Sequence, residues 1–429
     1  MGAPGGPSTE RTKVVPRPGS SMRWPAGKGG PARTSVTVMV TTYGSPPASP
    51  LISPASVAGM GSLDAQAVSA LLARARRDID DGVLPACQLA LALDGEVVVE
   101  ATFGAASDSS RFTIFSATKP FVASLVWQLM GEGLVSPALP VHEVIPELGT
   151  NGKDAVTLDH VLLHTGGFPT APLGPPRWLT HEGRREAFTA WRLNWPVGSR
   201  YEYHPTSGHW VLAELVQAIT GLDHRNALRQ RVLGPLGLRH FALGPPVDEQ
   251  DGVLDVVLVG DPAAPEDLAA LLGTTDPATT DEALLGLTDP VARAVGLPGG
   301  GGVSTAADVA AFYQALLHDR QGLWDPAVLA DVTGVVRNTF ADPALGHGIN
   351  RTRGLQVAGA DGCSHLRGMG RTVSARAFGH DGAIGQLAWA DPATGLSFCY
   401  LTNGRDRDLV REARRKTALS SLAGVCVAA

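Results

Sequence analysis

The chain has 429 residues, 44% of them hydrophobic and 18% charged, with a formal net charge of −6. This is globular composition with material for a large core, and it lacks the basic stripe that nucleic-acid binding requires. No stretch reaches the about 18 to 20 apolar residues of a membrane span. Cys87, Cys363, Cys399 and Cys426 are far apart and form no C-x-x-C pair. Thiolate metal binding and a disulfide framework are therefore disfavoured, and a reducing compartment, the cytoplasm, fits the chain.

Residues 1–61 are rich in Pro, Gly, Ser and Thr, without a compact apolar run before a small-residue cleavage site, and read as a disordered extension rather than an export signal. Structure is expected from Ser62, as the cap of a helix whose Val68, Leu71, Leu72, Ala75 and Ile79 keep the 3.6 period. Residues 86–104 hold two β-rich runs joined by Asp94–Gly95, a hairpin signal. A polar loop and the motif Ser116–Ala117–Thr118–Lys119 follow, opening an apolar helix over 119–133. Between 134 and 299, helices are predicted over 156–169 and 209–221, and residues 244–300 read as an acidic, Pro-rich loop or lid. The glycine run 299–302 lacks the Lys–Ser/Thr of a phosphate loop, so close backbone packing is the reading. The last third turns to β, with two strands over 377–404 joined by Asp391–Gly395, and a helix over 406–424 closes the chain. An early hairpin, helical middle and late strands predict an α+β fold. One antiparallel sheet would be built from both chain ends and flanked by helices, with an inserted all-helical lobe. The expected division is a single unit over 62–425, with an α/β lobe at 62–133 and 300–425 and a helical or lid lobe at 134–299.

A serine hydroxyl becomes a nucleophile only when a neighbouring base takes its proton. A lysine serves as that base when burial or a nearby cation holds it neutral. Lysine is scarce, with Lys13, Lys28, Lys119, Lys153 and Lys416 the full set. Even so, a Ser-x-x-Lys pair arises by chance roughly one time in three at average composition, so Ser116 and Lys119 decide nothing alone. Tyr201 and Tyr203 precede a helix, where a phenol can relay protons. Gly379–His380–Asp381–Gly382 precedes a β-prone strand, where backbone N–H groups can approach an acyl oxygen. His160 and His164 have metal-ligand spacing without the Glu of a zincin motif, and no metal or cofactor is expected. Trp178, Trp191 and Trp195 suit an acyl pocket or simple packing.

Taken in order, Ser-x-x-Lys, Tyr and His-x-Gly resemble the serine hydrolases of the class C β-lactamase and penicillin-recognising superfamily, including the family VIII esterases. Leu162–Phe168 and the stretch 300–317 are similar to further landmarks of that family. The resemblance covers about residues 62–425 and implies a β-lactamase/transpeptidase-like fold. It implies Ser116 as the acylated nucleophile, Lys119 as general base and Tyr203, less readily Tyr201, as proton relay. The N–H groups of Ser116 and Ala383 would form the oxyanion hole. His380 would line the pocket opposite Lys119 and hydrogen-bond the tyrosine, with Gly382 beside it. The sequence departs from the family where Tyr203 lacks the asparagine two residues on and where His380 replaces the lysine of β-lactamases. Those departures favour an enzyme acting on small carboxylic esters over a β-lactamase. Related acyl transfer on amides or D-peptides is the alternative, and a non-catalytic binding protein is a lesser one. The expected partner is a small-molecule ester or amide, with no nucleic acid and no membrane.

Overall fold

A computed structural model describes residues 35–37, 62–272, 280–343 and 345–427. Residues 1–34 and 38–61 of the expected extension lie outside the described residues. Within it, Ser35–Thr37 (β1) forms a short strand paired antiparallel with residues 100–102.

Helix α1 (Ala65–Asp80) begins two residues later than Ser62 suggests. Asp64 is the cap, its Oδ1 accepting the amides of Gln66 and Ala67 at 2.8 and 2.9 Å. The hairpin pairs β2 (Ala86–Leu93) with β3 (Glu96–Gly104). Asp94 and Gly95 both take positive φ, 51° and 81°, as a tight two-residue turn of matching twist demands. The C-terminal third supplies β4 (Gln356–Val357), β5 (Phe378–Gly379), β6 (Leu387–Asp391) and β7 (Leu396–Thr402). One seven-stranded sheet results, in the order β1-β3-β2-β7-β6-β5-β4, with each neighbouring pair antiparallel. The seam between the chain ends is β2 against β7, Ala92 opposite Ser397 through Cys87 opposite Thr402.

Alternation sorts the side chains of the sheet. Ala86, Ala90 and Ala92 of β2, Ala388 and Ala390 of β6, and Cys399 and Leu401 of β7 face one core. Leu89 and Leu91, Leu387 and Trp389, and Phe398 and Tyr400 face the other. Small residues on the first face let helix α4 (Ala306–His318) lie directly on β2 and β7. Larger ones on the second meet α1 and the closing helix α5 (Leu409–Ala423). The sheet is thus covered on both sides, and its central strands read as continuous apolar runs.

Behind α4 lies α2 (Lys119–Gly131), buried all round from Lys119 to Leu129. Phe121 stacks on Phe241 and Phe312, with ring centroids 4.2 and 3.9 Å away. The inserted segment is mainly helical and includes α3 (Ser207–Thr220), closed by Gly221 at φ 72°. The expectation of an all-helical insert needs amendment. Ala242–Leu243 pairs with Gly302–Ser304, and Val257–Val259 pairs parallel with Gly404–Asp406, so two short strands tie the insert back to the rest. Helices Pro265–Leu272, Asp281–Leu287 and Pro290–Val295 occupy much of the stretch expected to be loop. The helix expected over 156–169 is a single turn, Leu158–Leu162. No helix among the described residues is long and apolar enough to cross a membrane.

Candidate active site

The nucleophile candidate stands on a strained turn. Strand Phe112–Thr113 is fixed against Val303 and Ser304. Phe115 then takes φ 46°, left-handed backbone that a large residue rarely adopts. A 3-10 turn, Phe115–Thr118, leads directly into α2 at Lys119. Residues three apart eclipse in such a turn, and Lys119 Nζ lies 3.2 Å from Ser116 Oγ. Phe115, Ala117, Thr118 and Lys119 are buried, whereas Ser116 is half-exposed.

Lys119 is fully buried, and its other two contacts are carbonyl oxygens, Pro205 at 2.8 Å and Gly299 at 2.6 Å. As an ammonium Nζ donates to all three oxygens; as a neutral amine it would keep the two N–H bonds to the carbonyls and turn its lone pair to the Ser116 hydroxyl proton. Burial holds its pKa well below 10.5, the positive charge of Arg351 pushes the same way, and Asp381 opposes. The glycine run is part of this cradle. A Cβ on Gly299 would sit 2.8 Å from the Pro205 carbonyl, and one on Gly302 would sit 2.7 Å from Thr118 Oγ1. Lys153, also fully buried, donates to the Thr150 and Trp191 carbonyls and to the Thr150 hydroxyl, away from Ser116.

Of the two tyrosines, Tyr203 faces the pair, with Lys119 Nζ 4.9 Å from its ring centroid. Its hydroxyl is sealed from solvent and makes no hydrogen bond of good geometry. Burial raises its pKa, and Arg351 and the neighbouring Ser116 hydroxyl oppose that. Tyr201 is spent elsewhere, its hydroxyl accepting from Arg351 Nε at 3.3 Å. The Leu162–Phe168 landmark holds this tyrosine loop. His164 turns out of its helix at φ 57° and its Nδ1 accepts the His204 amide at 3.0 Å, while His204 Nε2 accepts the Phe168 amide at 3.2 Å. His160 instead caps its own helix through Thr157. The two histidines therefore do not share a helix face as their spacing suggested.

His380 is buried, its ring centroid 6.1 Å from that of Tyr203. It makes no hydrogen bond to the tyrosine, contrary to expectation. Its Nδ1 instead faces the Asp381 carbonyl at 2.8 Å, and Nε2 has no partner. Burial, Arg351 and Lys119 push its pKa down to about 3, so it is neutral at pH 7. Gly382 passes against the nucleophile turn so closely that a Cβ there would sit 2.3 Å from the Ile114 carbonyl oxygen. Gln386 fastens the same segment, its Nε2 donating to the carbonyls of Thr113 at 2.8 Å and Thr402 at 2.9 Å. Ile384, at φ 62°, clusters with Phe115 and Leu284, and Ala383 packs on that cluster. Ser116 and Ala383 thus sit on segments held against each other.

Trp191 is core, stacked on Phe168 and bonded to the Pro172 carbonyl. Trp195 lies edge-on to His204 with the Arg200 guanidinium over it. Sequence reasoning missed Arg351 and His209. Arg351 belongs to no motif, and His209, on the first turn of α3, is buried with both ring nitrogens unpartnered.

Comparison with known proteins places the chain in a family. Over 337 residues the chain is 26% identical to the Esterase/beta-lactamase LipL of Mycobacterium tuberculosis, covering 73% of this chain and 76% of that protein. A penicillin-binding protein homologue from Caulobacter crescentus superposes with a TM-score of 0.66 at 26% identity, covering 84% of this chain and 98% of the other. A family VIII carboxylesterase superposes with a TM-score of 0.68 at 22% identity, covering 85% and 99%, which shows the shared fold. The Beta-lactamase family model matches residues 66–422, and this chain belongs to that family, with a β-lactamase/transpeptidase-like fold.

Proposed function

We propose that this protein is a serine hydrolase that cleaves small to medium carboxylic esters through an acyl-enzyme on Ser116. The observation that carries the reading is the Ser116–Lys119 contact at 3.2 Å, with the lysine's other contacts directed at two carbonyls. The amine takes the hydroxyl proton as Oγ attacks the ester carbonyl. The N–H groups of Ser116 and Ala383 receive the developing oxyanion. Tyr203, beside Lys119, passes the proton to the departing alkoxide, and water then takes the acyl group by the reverse relay. Neutral His380 in place of a lysine supports an ester over a β-lactam, because a lysine there offers a fixed charge to the substrate carboxylate. The likeness to an esterase/β-lactamase supports the same class. The four free cysteines support a cytoplasmic location.

The test is labelling with a fluorophosphonate and turnover of p-nitrophenyl butyrate, nitrocefin and a D-alanyl anilide by wild type and Ser116→Ala. We expect one adduct by mass, ester turnover well above the other two, and loss of both labelling and turnover in Ser116→Ala. A wild-type protein that neither labels nor cleaves ester refutes the reading. Faster nitrocefin or anilide cleavage moves the substrate class.

A further inference from the structure

We propose that Arg351 is the fixed cation of this active site, a positioning residue whose charge, without an ion-pair partner among the described residues, keeps Lys119 as the free amine that accepts the Ser116 proton. The proposal rests on reading Ser116 and Lys119 as the acylating pair. Arg351 is held by its backbone, its amide donating to the Asn338 carbonyl at 2.9 Å. Asn338 in turn donates through Nδ2 to the Leu163 carbonyl at 2.8 Å, next to the histidine that holds the Tyr203 loop. The guanidinium carbon lies 5.2 Å from the Tyr203 ring centroid, the ring that Lys119 Nζ faces at 4.9 Å. The guanidinium carbon and Nζ are therefore within about 10 Å of each other, both beside one aromatic ring.

Arg351 is 3% exposed, and one terminal nitrogen, Nη1, is buried without any partner. No carboxylate comes within ion-pair distance of it among the described residues. The other deeply buried arginines differ, since Arg184 meets Glu214, Arg367 meets Asp361 and Arg415 meets Asp78 and Asp406. A buried guanidinium without a counter-charge is costly to fold around. It also cannot discharge itself, because arginine stays protonated at all working pH values. Lysine can, so where two cations share a poorly solvated site, the lysine yields its proton.

The other groups around Lys119 do not cancel this charge. His164, His209 and His380 are held neutral chiefly by burial, and Arg351 pushes the same way. Tyr203 stays a neutral phenol. Asp381 is the acid whose charge favours the ammonium, and it is ion-paired with Lys416. The family's lysine is absent at position 380, and Arg351 supplies positive charge from a different segment. Being sealed from solvent, it acts on the lysine rather than as a docking point for a substrate anion.

The test is the pH dependence of fluorophosphonate labelling, with kcat/KM for p-nitrophenyl butyrate, from pH 5 to 10 in wild type, Arg351→Gln and Arg351→Met. Losing a like charge lets Lys119 hold its proton to higher pH, so the acid limb moves to higher pH in both variants. Labelling on the acid limb falls roughly tenfold, the scale of a unit charge at such a distance in an effective dielectric near 20, and recovers on the alkaline plateau. A uniform loss at every pH with the limb unmoved overturns the proposal. So does failure of both variants to fold, shown by melting curves, since the arginine would then be retained for stability. Labelling that persists in Ser116→Ala overturns the parent reading instead.

Discussion

Gly382 gives the sharpest test of how the site is assembled. Its backbone, φ −119° and ψ 160°, is ordinary extended conformation that alanine also adopts. The effect of Gly382→Ala is therefore steric alone. The new Cβ would stand 2.3 Å from the Ile114 carbonyl oxygen and 3.0 Å from Gln386 Cβ. Relief requires the segment carrying Ala383 to back away from the Ser116 turn by about 1 Å. Overpacking of this kind costs about 1–3 kcal/mol of stability. The larger effect falls on catalysis, because a displacement of about 1 Å in an oxyanion donor lowers kcat by about 10²-fold or more. The assay is steady-state ester hydrolysis with thermal melts, using Gly286→Ala as control, where a Cβ meets nothing within 4 Å. We expect kcat to fall about 10²-fold with KM nearly unchanged, and the control to be silent. Wild-type kcat in a folded Gly382→Ala would refute the placement of the oxyanion donor at Ala383.

Two further outcomes follow from the buried bases. Lys119 takes a proton less readily in the folded protein than in the unfolded chain, so the unfolded state binds more protons below about pH 10.5 and stability rises with pH up to that point. Lys119→Met should therefore be inactive yet melt higher than wild type at pH 7, with the difference shrinking towards pH 10.5; calorimetry across that range checks it. Burial holds His204 and His224 down to about 4 and His380 down to about 3, so each stays neutral in the folded protein while the unfolded chain protonates below about 6.5. The melting temperature should fall as pH drops from 6.5 to 5, with net proton uptake on unfolding measured in buffers of different ionisation heat. A flat profile over that range would contradict the burial of these rings.

What could be read in advance was whatever has a local signature. The Asp94–Gly95 turn, the Ser116–Lys119 spacing and the glycines at 299, 302 and 382 depend on backbone conformations or close approaches that few residues permit. Other local signals compete with their neighbours. Asp64, two residues after Ser62, is the true cap. Thr280 before Asp281–Glu282, and Asp289 before Pro290, are helix starts inside the stretch taken for loop. The helix over 156–169 was cut short by a tertiary contact, because His164 leaves helical geometry to accept the His204 amide. Arg351 could not be found at all. Its proposed role rests on having no ion-paired acid among the described residues, and that shows only once segments far apart in sequence share one pocket.

The seam between β2 and β7 bears on how activity arises as the chain is made. Strand β7 and the Gln386 clasp on Thr113 are synthesised some 270 residues or more after the elements they complete. A ribosome-bound chain that already carries Ser116 and Lys119 has β2 paired only with β3, its other edge open, until Leu396–Thr402 emerges. Contacts of such separation fold slowly. On the proposed role of Ser116, hydrolytic competence therefore waits on the segment that carries Gln386 and β7, made long after the nucleophile turn.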